Sequence, residues 1–399
     1  MDTTIMKIVK LDNKGRGITY LNKKICFVNN ALEGEEVILK NIKEYSKYYE
    51  ADVSEYVKKS IKRVKSKCIY YDICGGCNLM HINLNSQENY KKNKLNEVLK
   101  KYADIEVKNK FINNNSELFY RNKVTLKINN YEWGYYSYMT HDFIKVDKCL
   151  IINNCINDLI DKKELFNIKS GEVIIRSNRD QELLVIFNID EKYDVNIKDI
   201  PDNIRGIIVN DKCIYGDDYF YDYIGDYKFK LSYNSFFQVN NYMAANIFDI
   251  LNNNLKGNTL LDLYCGVGTL GISLKKKFKS IYGIEKIENA ILNARENADM
   301  NGLREYHYYV GDTTKVLKNI NVSFDCVIVD PPRSGLSEET LKQVIKINPK
   351  QLAYISCDPI TLARDLKKLV KYYDIKKING LDMFPNTYHV ETVCILERK

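Results

Sequence analysis

The chain has 399 residues, enough for two or three domains, and its 45% hydrophobic content is ordinary for a globular protein. No run of about 20 apolar residues occurs, so no membrane-spanning helix is expected. The start, MDTTIMKIVKLDNKGRG, lacks a continuous apolar stretch and a small-residue cleavage site, so no signal peptide is expected and the chain reads as cytoplasmic. Eleven cysteines in such a compartment point to metal or catalytic roles rather than a disulfide framework. The net charge of +8 is concentrated: between Lys58 and Lys110 there are 13 Lys/Arg against 5 Asp/Glu, a surplus equal to the whole excess. That distribution suggests a polyanion partner, against the plainer reading of a solvated lysine-rich face.

Residues 1–57 read as short strands at Ile5–Val9, Gly17–Tyr20, Ile25–Val28, Glu36–Leu39 and Glu50–Val57, with Gly15 and Gly34 among the turn residues. Five strands in so short a segment predict a small β-barrel of the OB kind, a common oligonucleotide-binding module. The next stretch is lysine-rich and then cysteine-rich, with Cys68, Cys74 and Cys77 in C-x5-C-G-G-C. Residues 86–101 have helical spacing, with Leu95, Val98 and Leu99 on one face. From Phe119 to about Tyr233 the pattern is strand-like and aromatic, a mixed, mainly β, central domain over 58–232 that contains Cys149.

From about residue 233 strands alternate with helical patterns, which predicts an α/β fold with a doubly wound parallel sheet over 233–399. The last two strand candidates, Ile375–Leu381 and Val390–Leu396, are joined by a short loop and are expected to pair antiparallel. DLYCGVGTLGI (262–272) contains G-x-G-x-x-G at Gly266, Gly268 and Gly271, after a strand and before a helix. Such glycines permit a tight turn and close backbone approach to a ligand. Glu285 ends the next strand, where an acid can accept ribose hydroxyls, and Asp312 ends the one after. This predicts an adenosine-containing cofactor without separating NAD from S-adenosylmethionine. VIVDPPRSGL (327–336) then places Asp330 and two rigid prolines at the sheet edge, a pattern typical of methyltransferases acting on nucleobases.

YISCDPITLARD (354–365) delivers Cys357 from a strand to the same edge, directly before a helix opening at Pro359. Ligands sit at that edge in open α/β sheets. A thiol there becomes a nucleophile if its pKa falls, and the helix N-terminus beyond it is one such influence. The plainer reading is a buried, inert cysteine.

Together SFFQVN (235–240), DLYCGVGT (262–269), GIE (283–285), DPPRSGL (330–336), YISCDPITLARD (354–365) and MFPNTYHVETV (383–393), with CGGC (74–77) and Cys149 upstream, resemble the RNA uracil-5-methyltransferases. This is the 23S rRNA/tRNA m5U family with an N-terminal TRAM domain and an iron–sulfur cluster. The resemblance covers nearly the whole chain and implies a Rossmann-like class I methyltransferase domain. It implies that Gln238, Tyr264, Gly266, Thr269, Glu285, Asp312 and Asp330 contact S-adenosylmethionine. Cys357 would be the nucleophile and Glu391 the general base. Cys68, Cys74, Cys77 and Cys149 would hold a [4Fe–4S] cluster, although their spacing alone also suits zinc. The implied partner is RNA, and the iron–sulfur cysteines lean toward 23S rRNA over tRNA; a monomer is expected. CGGC is followed by Asn78-Leu79-Met80-His81, where many members carry glutamines, and Ser334 stands where Lys is frequent. These departures bear on the target RNA rather than on the reaction. The remaining cysteines (Cys26, Cys155, Cys213, Cys265, Cys326, Cys394) are expected in the core. His81, His141 and His307 are expected to be structural or exposed, and His389 to assist near Glu391. The rival readings are a cytosine-5 RNA methyltransferase, which also uses thiol attack on C6, and a non-catalytic RNA-binding protein with the same fold.

Overall fold

The computed structural model describes residues 4–106, 110–114, 116–137, 140, 142–190 and 200–399; His141 lies outside them. The N-terminal strands form a six-stranded sheet in the order Ile5–Lys7, Glu36–Glu44, Tyr48–Lys58, Lys24–Asn29, Gly17–Leu21, Lys10–Leu11. Its first and last strands are consecutive in the chain. Between them Ile8 N–H donates to Glu35 O at 2.9 Å and Val9 N–H to Ile18 O at 2.8 Å, so the sheet closes on itself around Ile8, Cys26, Val28, Val37 and Ala51. Lys10–Leu11 is too short and polar to stand out in the sequence.

The central part is a seven-stranded sheet in the order Phe143–Lys145, Glu132–Tyr136, Lys123–Asn129, Ser170–Ser177, Leu183–Asn188, Ile204–Val209, Lys212–Gly216. Its core gathers Trp133, Phe166 and Phe187, and Ile156 and Leu159 of helix Asn154–Ile160 cover it. Tyr227–Ser232, in the stretch read as the mainly β central domain, lies outside this sheet and pairs with Tyr219–Ile224 as a separate ribbon. The ribbon's other edge is satisfied by side chains. Asn297 and Asn301 each accept from one backbone N–H and donate to the carbonyl of the same residue, Lys230 and Lys228 respectively. Asn293 bonds the Ser232 hydroxyl one step further along. Side chains four apart on a helix advance about 6 Å and residues two apart on a strand about 6.6 Å, so the two series stay in step.

The C-terminal sheet has eight strands in the order Tyr306–Val310, Ser280–Glu285, Thr259–Leu263, Cys326–Val329, Gln351–Ser356, Glu391–Arg398, Tyr373–Leu381, Lys110–Ile112. The first five run parallel and the expected antiparallel pair follows. The eighth strand comes from outside 233–399. So does helix Leu84–Ala103, expected in the central domain, whose Leu95, Val98 and Leu99 share a core with Leu362, Leu366 and Leu369 of helix Pro359–Leu369. The apolar face that marks the helix in the sequence is therefore spent on the C-terminal sheet.

That helix also changes the reading of the basic segment. Lys91 is 0% exposed, and its Nζ lies 2.5 Å from Asp382 Oδ1 and 3.0 Å from Phe384 O. Lys94 Nζ donates to Tyr388 O at 2.8 Å, and Arg63 pairs with the buried Glu35 at 2.6 Å. These cations hold the fold rather than facing solvent. Removing one partner of a buried pair leaves the other charge uncompensated, at a cost of about 3–5 kcal/mol. Lys91→Met should therefore lower the unfolding free energy in urea by roughly 3 kcal/mol. Adding Asp382→Leu to Lys91→Met should restore most of the loss; equal stability of the single and double variants would show that the charge pair is not what matters.

Candidate active site and cysteine cavity

All six residues of strand Gln351–Ser356 are buried, and the strand ends one residue before Cys357. Asp358 caps the helix that follows, accepting from Ile360 N at 2.9 Å and Thr361 N at 3.0 Å, with Pro359 in the first turn. The carboxylate thus takes the helix's free donors. The lowered pKa that would make the Cys357 thiol a ready nucleophile is not seen: burial and then Glu391 push it up to about 11, and the guanidinium of Arg333 is the largest opposing influence. The thiol is protonated in this state.

The register explains why Cys357 and Glu391 meet. Ser356 pairs with Thr392 across an antiparallel ladder, so the residues just beyond them, Cys357 and Glu391, stand at the same end of adjacent strands. Asp330 follows Val329, which pairs with Tyr354 on the other side. Glu391 is 4% exposed; burial and then Asp330 raise its carboxyl well above the usual range, while Arg333 opposes this. Burial also pushes Asp330 up to about 6. The His389 ring lies tilted against that of Tyr388, with centroids 4.3 Å apart; burial and the cations Arg333, Lys94, Lys91 and Arg121 push it down to about 4, so it is neutral at physiological pH. The loop over this edge is braced by Asp365, which accepts from Leu336 N at 2.9 Å and Tyr354 Oη at 2.7 Å.

Beside the acids lies a pocket lined by Gln238, Tyr264, Gly266, Thr269 and Asp330, with Phe236 at 66% exposure on its wall. Tyr264 (φ 65°), Gly266 (φ 54°) and Gly268 (φ 83°) adopt left-handed backbone there, which lets the turn fold back toward the sheet. Glu285 is joined to the pocket through Gly266 N–H, 3.2 Å from its Oε2. Asp312 is not among the lining residues; its Oδ1 caps helix Thr313–Leu317, accepting from Thr314 N at 3.1 Å and Lys315 N at 3.2 Å. The sequence reading missed Asp262. It is 1% exposed, its Oδ2 accepts from Gly271 N at 3.0 Å, and burial pushes it up to about 7. An acid at the penultimate position of a mostly apolar strand, four residues before Gly266, is the signal that was available.

The four cysteines Cys68, Cys74, Cys77 and Cys149 come together as the wall of one cavity of about 210 Å³, with Tyr70, Tyr71, Arg121 and Tyr135. All four are free thiols. Burial raises Cys74, Cys77 and Cys149. Among the described residues, no three Cys, His, Asp or Glu side chains are grouped so as to hold a metal ion. Of the cysteines expected in the core, Cys26, Cys155, Cys265, Cys326 and Cys394 are buried, but Cys213 is exposed on the edge strand Lys212–Gly216. His81 is buried with Nδ1 2.5 Å from Tyr71 Oη, and His307 stacks on Tyr282 at 4.4 Å.

A sequence model of the tRNA (Uracil-5-)-methyltransferase family matches residues 203–399. A protein of Clostridium acetobutylicum named an uncharacterized RNA methyltransferase is 32% identical, over 97% of this chain and 95% of its own. One of Listeria innocua with the same designation is 32% identical over 99% of this chain and 97% of its own. The crystal structure of Pyrococcus abyssi tRNA (uracil-54, C5)-methyltransferase in complex with S-adenosyl-L-homocysteine is similar with a TM-score of 0.79 and 28% identity, covering 98% of this chain and all of that one. With relatives of this similarity along its whole length and a thiol, two acids and a glycine-turn pocket on one sheet edge, the chain belongs to the S-adenosylmethionine-dependent RNA (uracil-5-)-methyltransferase family.

Proposed function

We propose that the protein methylates C5 of a specific uridine in 23S rRNA, with Cys357 as nucleophile and Glu391 as base. The observation that supports this reading is the register that sets Cys357 beside Glu391, with Asp330 of the Gln238 and Tyr264 pocket at the end of the adjoining strand. C5 of uracil is a poor nucleophile. The Cys357 thiol first gives up its proton to solvent; addition of the thiolate to C6 then moves the C5=C6 electron pair onto C5 as an enolate. S-adenosylmethionine, when bound among Gln238, Tyr264, Gly266, Thr269, Glu285, Asp312 and Asp330, supplies the methyl group. Glu391 then takes the C5 proton; the C5–H electron pair restores C5=C6, and the C6–S pair leaves on Cys357 as thiolate. A carboxylate whose burial raises its pKa is a stronger acceptor for that proton once ionised. Arg333, the cation that opposes the rise at both Cys357 and Glu391, favours their charged forms. A base inside a duplex cannot reach this edge, so the uridine is flipped out or taken from a loop.

The four cysteines are proposed to hold a [4Fe–4S] cluster. A cubane spreads its thiolates over four separate irons, whereas one zinc ion draws four onto a single centre. Four thiols lining one cavity support this reading, although among the described residues they are not grouped closely enough to hold a metal ion as they stand. The group would be structural, since no redox step occurs in the reaction. The closed N-terminal sheet is proposed to be a TRAM-type RNA-binding domain, acting with the exposed part of the basic segment. The choice of 23S rRNA rests on the cysteine set. The tRNA reading is favoured by the name of the Pyrococcus abyssi relative.

Total RNA substituted with 5-fluorouridine should trap the adduct, because fluorine at C5 cannot leave as a proton. Mass spectrometry should find a Cys357 peptide joined to methylated fluorouridine, and the RNA fragment names the target; a tRNA fragment would replace the ribosomal reading. On ordinary RNA, Cys357→Ala should form no adduct. Glu391→Gln should form the methylated adduct and release it about 10²–10⁴-fold more slowly. Free turnover by both variants would overturn the assignment. Anaerobically purified protein should contain iron and acid-labile sulfide near four each per chain; stoichiometric zinc without iron would refute the cluster. RNA affinity should fall by about tenfold or more between 50 and 200 mM salt, and salt-independent binding would argue against the basic surface.

A further inference from the structure

The loop between strands Tyr373–Leu381 and Glu391–Arg398 carries Asn386, five residues before Glu391. Asn386 is 1% exposed, in left-handed backbone with φ 64°, and bonded on every side. Its N–H donates to Gln87 Oε1 at 3.0 Å, and its Oδ1 accepts from Gln87 Nε2 at 3.1 Å. Its Nδ2 donates to Glu117 O at 2.9 Å. Its carbonyl accepts from both Asn78 N and Leu79 N at 2.9 Å, immediately after Cys77 of the cysteine cavity. From Asn386 the path to the base is short and stiff. Thr387 Oγ1 donates to Phe384 O at 2.8 Å and accepts from His389 N at 3.3 Å, and Val390 is fully buried.

We propose that Asn386 is a positioning residue for Glu391, and that through its carbonyl the Cys77 turn holds the proton-abstracting carboxylate in place. The inference rests on the reading of Glu391 as base. The step it serves is the last one: the C5–H bond breaks, the proton passes to Glu391, the electron pair restores C5=C6, and the C6–S pair departs on Cys357. Sulfur addition at C6 and methyl transfer involve Cys357 and the glycine-turn pocket, whose residues make none of the bonds to Asn386. A merely structural Asn386 would slow every step together; a positioning one slows the last alone. A residue in left-handed backbone with five bonds to three segments, two of them from its side chain, is more than closing a loop needs, since the strand pair already fixes the loop's ends.

Two variants test this. Asn386→Gly keeps the backbone conformation and removes the side-chain bonds; Gln87→Met leaves the loop untouched and removes Asn386's partners on the helix. Both should bind S-adenosylmethionine and form the 5-fluorouridine adduct within about twofold of the parent. On ordinary RNA their turnover should fall by about 10- to 100-fold, as expected for a displacement near 1 Å, with methylated adduct accumulating as in Glu391→Gln. A parallel loss of adduct formation and turnover, or unchanged turnover, overturns the proposal. If Glu391→Gln itself accumulates no adduct, the reading of Glu391 fails and this one with it. If only the Asn386 and Gln87 variants fail to accumulate it, the positioning role alone falls. The link to the cysteine turn has its own readout. Chelation of iron from the purified protein should speed hydrogen exchange in peptide 384–391 together with 68–79; faster exchange confined to 68–79 overturns the link.

Discussion

The ion pair between Lys91 and Asp382 has no water to fall back on. Both side chains are essentially inaccessible, and burial pushes the lysine's pKa down while Asp382 resists that shift. An arrangement of this kind tolerates little displacement, because parting the charges without hydration is expensive. Helix Leu84–Ala103 and the loop from Asp382 to His389 are thereby obliged to stay together, and the rest of the architecture is arranged around the contact. The helix brings the end of the cysteine-bearing segment to the loop, and Tyr120 Oη at 3.0 Å from Pro385 O brings the start of the central sheet. Asn240 Nδ2 at 3.0 Å from Met383 O brings SFFQVN. Segments far apart in sequence converge on eight residues beside the base.

The same edge concentrates groups whose charged forms are disfavoured. Asp262, Asp330 and Glu391 are raised and the Cys357 thiol is raised, each chiefly by burial. Burial thus disfavours negative charge on both the thiol and the carboxyl of the resting site. Reaction asks it to carry negative charge, first on sulfur and then on the carboxylate, and Arg333 is the cation to which both respond. Proline-rigid backbone holds Arg333 to the neighbouring helix through Thr361 Oγ1, 3.2 Å from Arg333 O.

Legibility in the sequence followed how local the causes were. The parallel strands, the glycine turn and the Ser-Cys-Asp-Pro break are written within ten residues each, and the structure places them as read. Cys357 and Glu391 became neighbours through a strand register that no short pattern encodes; the resemblance, not the spacing, pointed to Glu391. Helix 86–101 was recognised by its apolar face, but amphipathicity does not say which core receives that face. The lysine run looked like one surface because charge counting cannot separate Lys91, which is buried and paired, from Lys92 beside it. Asp312 has a local use that the sequence did not reveal: its Oδ1 caps the next helix.

The amide series of Asn293, Asn297 and Asn301 has a consequence for how the protein behaves in company. A two-stranded ribbon leaves open edges, and an open edge invites strand addition by any other extended chain. Here one edge is covered by a helix of the same molecule whose side chains copy the pattern of a neighbouring strand. The ribbon therefore gains the protection of a wider sheet without the extra strand, and residues that look like neutral surface amides guard against self-association. A one-residue insertion in that helix would turn the asparagines about 100° away from the ribbon. The edge would then be bare, and the result would be a sticky protein before it was an unstable one.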